Sequence, residues 1–189
     1  MLLVIDTSGP FCAAGVITPK GLSERCEEMT RGQAERLMPM VEEVLAEAGA
    51  TLKDLTAIAV CTGPGNFTGI RIAVALSRGL SFSLGLPAVG VGALEAAAFG
   101  THGSVTVARE GRGQFITQSF RDGTATAPAT SADTLPKGAI LAGVDLSALA
   151  TAARGHLAAG SDIPRPAPIY LRLPDAAMPS EPPPTILDA

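Results

Sequence analysis

The chain has 189 residues, 47% of them hydrophobic and 17% charged, which suits one domain or two small lobes at roughly 100–200 residues per domain. Its net charge of −4 argues against a protein that grips nucleic acid alone, because phosphate affinity comes from clustered Lys and Arg. Cys12, Cys26 and Cys61 form no Cys-x-x-Cys pair, which speaks against a disulfide framework or zinc site and for reduced thiols in a cytoplasmic protein.

Leu2–Ile5 is a continuous apolar run and reads as a central strand, ended by a turn over Asp6-Thr7-Ser8-Gly9. The same Asp6 interrupts the apolar start, so no signal peptide is expected. Cys12–Ile17 and Leu22–Met29 read as two strands around Pro19-Lys20-Gly21. Gln33–Ala48 is predicted helical, with Leu37, Met38, Met40, Val41, Val44, Leu45 and Ala48 on one face and Glu35, Glu42, Glu43 and Glu47 on the other. Pro39 predicts a kink or a delayed start there. A buried strand over 57–62 follows, broken by Gly63, Pro64 and Gly65.

A helix over 68–84 comes next, with Thr68 expected to cap its start. At about 100° per residue, Arg71 and Arg78 fall about 20° apart and form one narrow polar stripe. Ile70, Ile72, Val74, Leu76, Leu80, Phe82 and Leu84 fill most of the rest. Gly69, Ala73, Ser77 and Ser81 recur every fourth residue, a row that lets another helix come close. A helix apolar nearly all round must be covered nearly all round, and one sheet face covers only one side. Either a second layer of the same chain or a partner must supply the remainder.

Leu86–Val91 reads as a strand and Ala93–Phe99 as a short helix. The composition shifts at Gly100–Gly103, which predicts a first lobe over 1–100 and a reduced second lobe over 101–175. In the latter, Val105–Ala108 and Gln114–Phe120 pair across Gly111-Arg112-Gly113, 121–137 is a loop with little structure, Ala139–Val144 is a strand, and Asp145 caps a helix to about Ala159. Prolines dominate from Pro164, and 176–189 reads as a Pro-rich tail. Strands in a meander, then alternating with helices, predict an α/β fold with mixed sheets flanked by helices. No membrane span is expected.

Strand-Asp6-Thr7-Ser8 followed by a hairpin resembles the first phosphate-binding turn of the actin, sugar-kinase and Hsp70 (ASKHA) fold. Gly63-Pro64-Gly65-Asn66-Phe67-Thr68-Gly69-Ile70-Arg71 is more specific. With Leu37-x-Pro39, Gly85-Leu86-Pro87 and Pro168-Ile169-Tyr170-Leu171-Arg172, it resembles the TsaB (YeaZ) family. The resemblance implies a two-lobed ASKHA fold and a non-catalytic scaffold and activator in bacterial synthesis of N6-threonylcarbamoyladenosine at position 37 of tRNA. It implies as partners the paralogous transferase TsaD, the ATPase TsaE and, indirectly, tRNA. The uncovered apolar face itself predicts a homodimer through the same helices when TsaD is absent.

By this resemblance the helices at 33–48 and 68–84 form the interface, and the expected partner-binding residues are Leu37, Met40, Val41, Val44, Thr68, Arg71, Ile72, Ala73, Ala75, Leu76, Ser77, Gly79 and Leu80. Asp6, Thr7, Ser8, Gly63 and Gly65 are the nucleotide-proximal candidates. No catalytic residue and no metal are expected, and ATP or ADP has a place only at the complex interface.

Two enzymatic readings compete. A metallopeptidase would need the His-x-Glu-x-His stretch of TsaD, but Ala93 and Ala97 stand at its two histidine positions and only Glu95 remains. His102 and His156 have no ligand spacing. A stand-alone ATPase or kinase would need a phosphate loop, but Gly63-Pro64-Gly65 lacks the Gly-Lys-Ser/Thr ending, and a corner needing glycine's backbone freedom accounts for it as well. Asp6 serves either to orient a metal-bound phosphate or to cap its turn. Arg71 and Arg78 serve either tRNA, a partner carboxylate or a solvated edge. The Asp-Ala-Arg motif that usually opens the second lobe is reduced here to Ala108-Arg109.

Overall fold

The computed structural model describes residues 1–111, 113–160 and 163–170. Arg112, Leu171, Arg172 and the expected tail at 176–189 lie outside the described residues. In chain order the first half comprises β1 (Leu2–Asp6), β2 (Phe11–Thr18), β3 (Gly21–Glu28), α1 (Gln33–Glu47), β4 (Ala57–Cys61), α2 (Phe67–Leu84), β5 (Ala88–Val91) and α3 (Ala93–Ala98). The second comprises β6 (Ser104–Gly111), β7 (Gln114–Arg121), β8 (Thr124–Ala125), β9 (Thr130–Ala132), β10 (Ile140–Leu141) and α4 (Leu146–Ala158).

The first sheet has the order β3-β2-β1-β4-β5. β1, β2 and β3 form an antiparallel meander, whereas β4 runs parallel to both β1 and β5. The short Pro19-Lys20-Gly21 turn permits the antiparallel pairing, and the parallel pairs are reached through helices, as parallel connections require. Side chains alternate across the strands. Leu3, Ile5, Ile58 and Val60 face α1 and α2 in one core, while Leu2, Val4, Ala57, Ala59 and Cys61 face the opposite side. The apolar runs of β1 and β4 are therefore continuous because both faces of the sheet are covered.

The second cover is α4. Its Leu146, Leu149, Ala150, Ala152 and Ala153 pack with Ala13, Ala57 and Ala59. Alanine on both sides lets the helix lie close to the strands. Residues 146–158, expected within the second lobe, thus return to the first sheet, because that sheet's Ala-rich face needs an apolar layer. The Asp145 carboxylate accepts from the Ala148 N–H at 2.8 Å and starts the helix as expected.

The second sheet has the order β10-β6-β7-β8, with β9 also paired to β7. β8 and β9 fall in the segment expected to be a loop. Two- and three-residue strands leave too little periodicity to detect, and both are templated by β7. The strand expected over 139–144 is reduced to Ile140–Leu141, an edge strand parallel to β6.

Candidate functional site

The corner between β4 and α2 is locked to the turn after β1. Ser8 donates its N–H to Asp6 Oδ1 at 2.7 Å, Thr7 Oγ1 donates to Gly69 O at 2.6 Å, and Asn66 N–H donates to Ser8 O at 2.7 Å. Asp6, Thr7 and Ser8 are buried. Glycine is required here by proximity: a Cβ at Gly65 would lie 2.1 Å from Ser8 O, and one at Gly69 would lie 1.9 Å from Thr7 O. At Gly63 the requirement is backbone conformation, with φ of 94°. Asp6, Thr7, Ser8, Gly63 and Gly65 are therefore brought together at one corner.

The cap of α2 differs from expectation. Asn66, rather than Thr68, caps the helix, its side-chain oxygen accepting from the Thr68 and Gly69 N–H groups at 3.0 Å each. Asparagine has the reach and the extended backbone an N-cap needs, and Thr68 is the second helical residue, exposed to solvent. Pro39 does not delay the start of α1. It lies inside the helix, and the Arg36 N–H already closes onto Gly32 O at 3.0 Å.

Next to Cys61, Ser8 Oγ lies 3.3 Å from the sulfur and Arg109 Nη1 lies 4.0 Å away. Burial pushes the Cys61 thiol up to about 12, so it stays protonated at neutral pH. Arg109 is buried in β6 and reaches this corner from the second sheet. Between the two sheets, Gly63, Glu95, Phe120, His156 and Ile169 help line a cleft of about 780 Å³. Glu95 accepts from the Gly92 N–H at 3.0 Å, and His156 Nε2 lies 2.6 Å from Glu95 Oε1. The two sit 61 residues apart, so spacing could not reveal the pair. Among the described residues, no three His, Cys, Asp or Glu side chains stand close enough to hold a metal ion.

The α1 and α2 helices divide the expected partner residues into two groups. Leu37, Met40, Val41, Val44, Ala73 and Ser77 are 0–1% exposed, and Leu80 is buried with them. These side chains pack within the chain's own core. Among the described residues, α1 and α2 are the cover of the first sheet on that side, so they spend these faces on it. The row of small residues likewise turns inward: Gly69 meets Thr7, while Ala73 joins the core that holds α1. Thr68, Arg71, Ala75 and Gly79 are exposed, and Ile72 and Leu76 are half-buried. Beside them Arg78 is exposed, and Phe82 is 91% exposed. Among the described residues, α2 is thus apolar nearly all round, and its buried side is the one turned to the first sheet and α1.

At the start of that open face sits a cluster that sequence reading missed. Arg71 Cζ lies 3.7 Å from the centre of the Phe67 ring and 5.4 Å from that of Tyr170, and Arg71 Nε donates to the Tyr170 hydroxyl at 2.7 Å. Arg71 and Tyr170 are 99 residues apart.

The five-stranded 3-2-1-4-5 sheet, its crossover helices and the acidic turn after β1 place the chain in the ASKHA fold class. Residues 25–176 match the family model described as TsaD, tRNA N6-adenosine threonylcarbamoyltransferase. A "tRNA threonylcarbamoyladenosine biosynthesis protein TsaB" of Buchnera aphidicola is 38% identical over 94 residues, covering 50% of this chain and 45% of the relative. The chain thus spans about half the length of that relative. An uncharacterized protein of Mycobacterium bovis is 34% identical over 93% of both chains. The solved structure of YeaZ from Pseudomonas aeruginosa superposes with a TM-score of 0.72 at 25% identity, covering 90% of this chain and 99% of that one. The chain belongs to the TsaB (YeaZ) family.

Proposed function

We propose that this chain is the non-catalytic subunit of a tRNA N6-threonylcarbamoyladenosine synthesis complex, acting in the cytoplasm by binding and activating a TsaD-type transferase. The observation that carries this reading is the open face of α2, where Ala75, Gly79 and a 91%-exposed Phe82 lie beside Ile72 and Leu76. An apolar face of this kind marks an interaction surface. A stable pair would bury roughly 1,200–2,000 Å² in total. The same face supports a homodimer when the transferase is absent. TsaE and tRNA join through the assembled complex, where ATP or ADP has its place.

The test is co-purification with the transferase subunit of the same organism, followed by an assay for the modified adenosine. Activity should require both chains. Phe82→Ser should weaken the pair by about tenfold to a hundredfold, the range set by burying one phenylalanine. It should leave the melting temperature unchanged, because the ring contributes little to the folded chain. Ala75→Arg should block assembly. Wild-type affinity in both variants, or turnover of ATP or peptide by this chain alone, would refute the reading.

A further inference from the structure

We propose that Tyr170 is a positioning residue that holds Arg71 as the anchor for a carboxylate on the partner's surface; this rests on the reading of α2 as the partner-binding face. Arg71 lies on the open face, one residue from Ile72 and one turn from Ala75. An arginine side chain there would ordinarily sample many rotamers and lose that freedom on binding. Here three contacts fix it beforehand: the Phe67 ring under the guanidinium, the Tyr170 ring beside it, and the 2.7 Å bond from Nε to the tyrosine hydroxyl. The rings themselves meet at 5.1 Å.

Tyr170 is itself fixed one residue earlier. The Ile169 N–H donates to Thr62 O at 2.8 Å, just past the end of β4. The final described segment is thereby pinned to the sheet at the point where it reaches α2. Tyr170 is half of a clamp whose other half, Phe67, is the first residue of α2.

The bond to Tyr170 uses Nε alone. The N–H groups of Nη1 and Nη2 make no hydrogen bond or ion pair among the described residues. They form a planar fork suited to two parallel bonds with one carboxylate. The surroundings favour a protein carboxylate over RNA phosphate. Ile72, Ala75 and Leu76 flank the site with apolar surface, which strengthens a charge pair once water is excluded. A net charge of −4 supplies no basic field for a nucleic acid. Arg78 provides an internal control: it lies on the same stripe but has no aromatic or hydroxyl partner among the described residues.

The test titrates the full-length chain with the transferase subunit at low and high salt. Tyr170→Phe keeps the ring and removes the acceptor, and should weaken binding about threefold to tenfold with an unchanged melting temperature. Arg71→Ala should cost about tenfold to a hundredfold and flatten the salt dependence. Arg71→Lys should not restore affinity, because an ammonium lacks the fork. Arg78→Ala should change affinity less than threefold, in the range of about 0–1 kcal/mol for an exposed charge. The double variant Tyr170→Phe/Arg71→Ala should bind no more weakly than Arg71→Ala, because the hydroxyl acts through the arginine.

Wild-type affinity for Tyr170→Phe, or effects that add in the double variant, would overturn the proposal. So would loss of RNA retention in Arg71→Ala with partner affinity intact. If Ala75→Arg blocks assembly while Tyr170→Phe does nothing, this inference alone has failed. If Ala75→Arg and Phe82→Ser also bind like the wild type, the partner-face reading has failed beneath it.

Discussion

Two glycines ten residues apart on α2 should respond in opposite directions to the same substitution. A methyl group at Gly69 would lie 1.9 Å from Thr7 O, where ordinary contact begins at 3.4 Å. The obstacle is backbone, so no rotamer change relieves it, and the turn after β1 must move away from α2 by about 1.5 Å. Forcing that gap costs about 1–3 kcal/mol as overpacking. It also disrupts the bonds from Thr7 Oγ1 to Gly69 O and from Asn66 N–H to Ser8 O, at about 1 kcal/mol each. Gly69→Ala should therefore destabilise by about 3–5 kcal/mol, a fall of about 6–20 °C in Tm for a chain of this size. At Gly79 an added methyl meets nothing within 4 Å. There Gly79→Ala removes only backbone freedom from the unfolded chain and should stabilise by about 0.5–1 kcal/mol. Urea unfolding followed by circular dichroism measures both. A Gly69→Ala midpoint equal to the wild type would refute the claim that these glycines exist to let two backbones touch. So would a Gly79→Ala midpoint lowered to match it.

Two further predictions concern titratable groups. Arg36 donates to both oxygens of Glu27 and of Glu43 at 2.6–2.8 Å, and these bonds hold both carboxyls below the usual glutamate value of 4.5. A depressed folded pKa gives stability that is present above the unfolded value and is lost as pH falls through the folded one. The urea midpoint should accordingly drop below about pH 4.5, and Arg36→Met should show a shallower acid limb; parallel curves would sink this account. Burial raises all three thiols, Cys12 to about 11 and Cys61 to about 12, but Cys26 alone is exposed. At pH 8 a disulfide dye should label one thiol in the folded chain and the other two only on unfolding, so a second equivalent reacting before unfolding would contradict the buried positions.

Local chemistry made much of the fold readable. The continuous runs at Leu2–Ile5 and Ala57–Val60 needed two covered faces, and the 3.6-residue period of Gln33–Ala48 needed one. Gly-Pro-Gly broke the chain at the corner that starts α2, and the Gly63–Arg71 stretch carried the family. Errors fell where a short signal competed with a longer one. Thr68 was a credible cap until Asn66, two residues earlier, proved able to reach the same N–H groups. The strands at 124–125 and 130–132 were invisible because β7, rather than their own pattern, holds them extended.

Sequence alone determined the order of elements in the first half of the chain, the mixed sheet and the excess of apolar surface on α2, because each follows from residues within a few positions of one another. Tertiary structure alone decided which side of α2 is spent. Ala73, Ser77 and Leu80 turn inward because, among the described residues, α1 and α2 are what cover the first sheet there, leaving Ala75, Gly79 and Phe82 outside. It also decided that Tyr170 meets Arg71 and that His156 meets Glu95. Those contacts join residues 99 and 61 positions apart, and no local period or spacing encodes a meeting that only the folded path of the chain brings about.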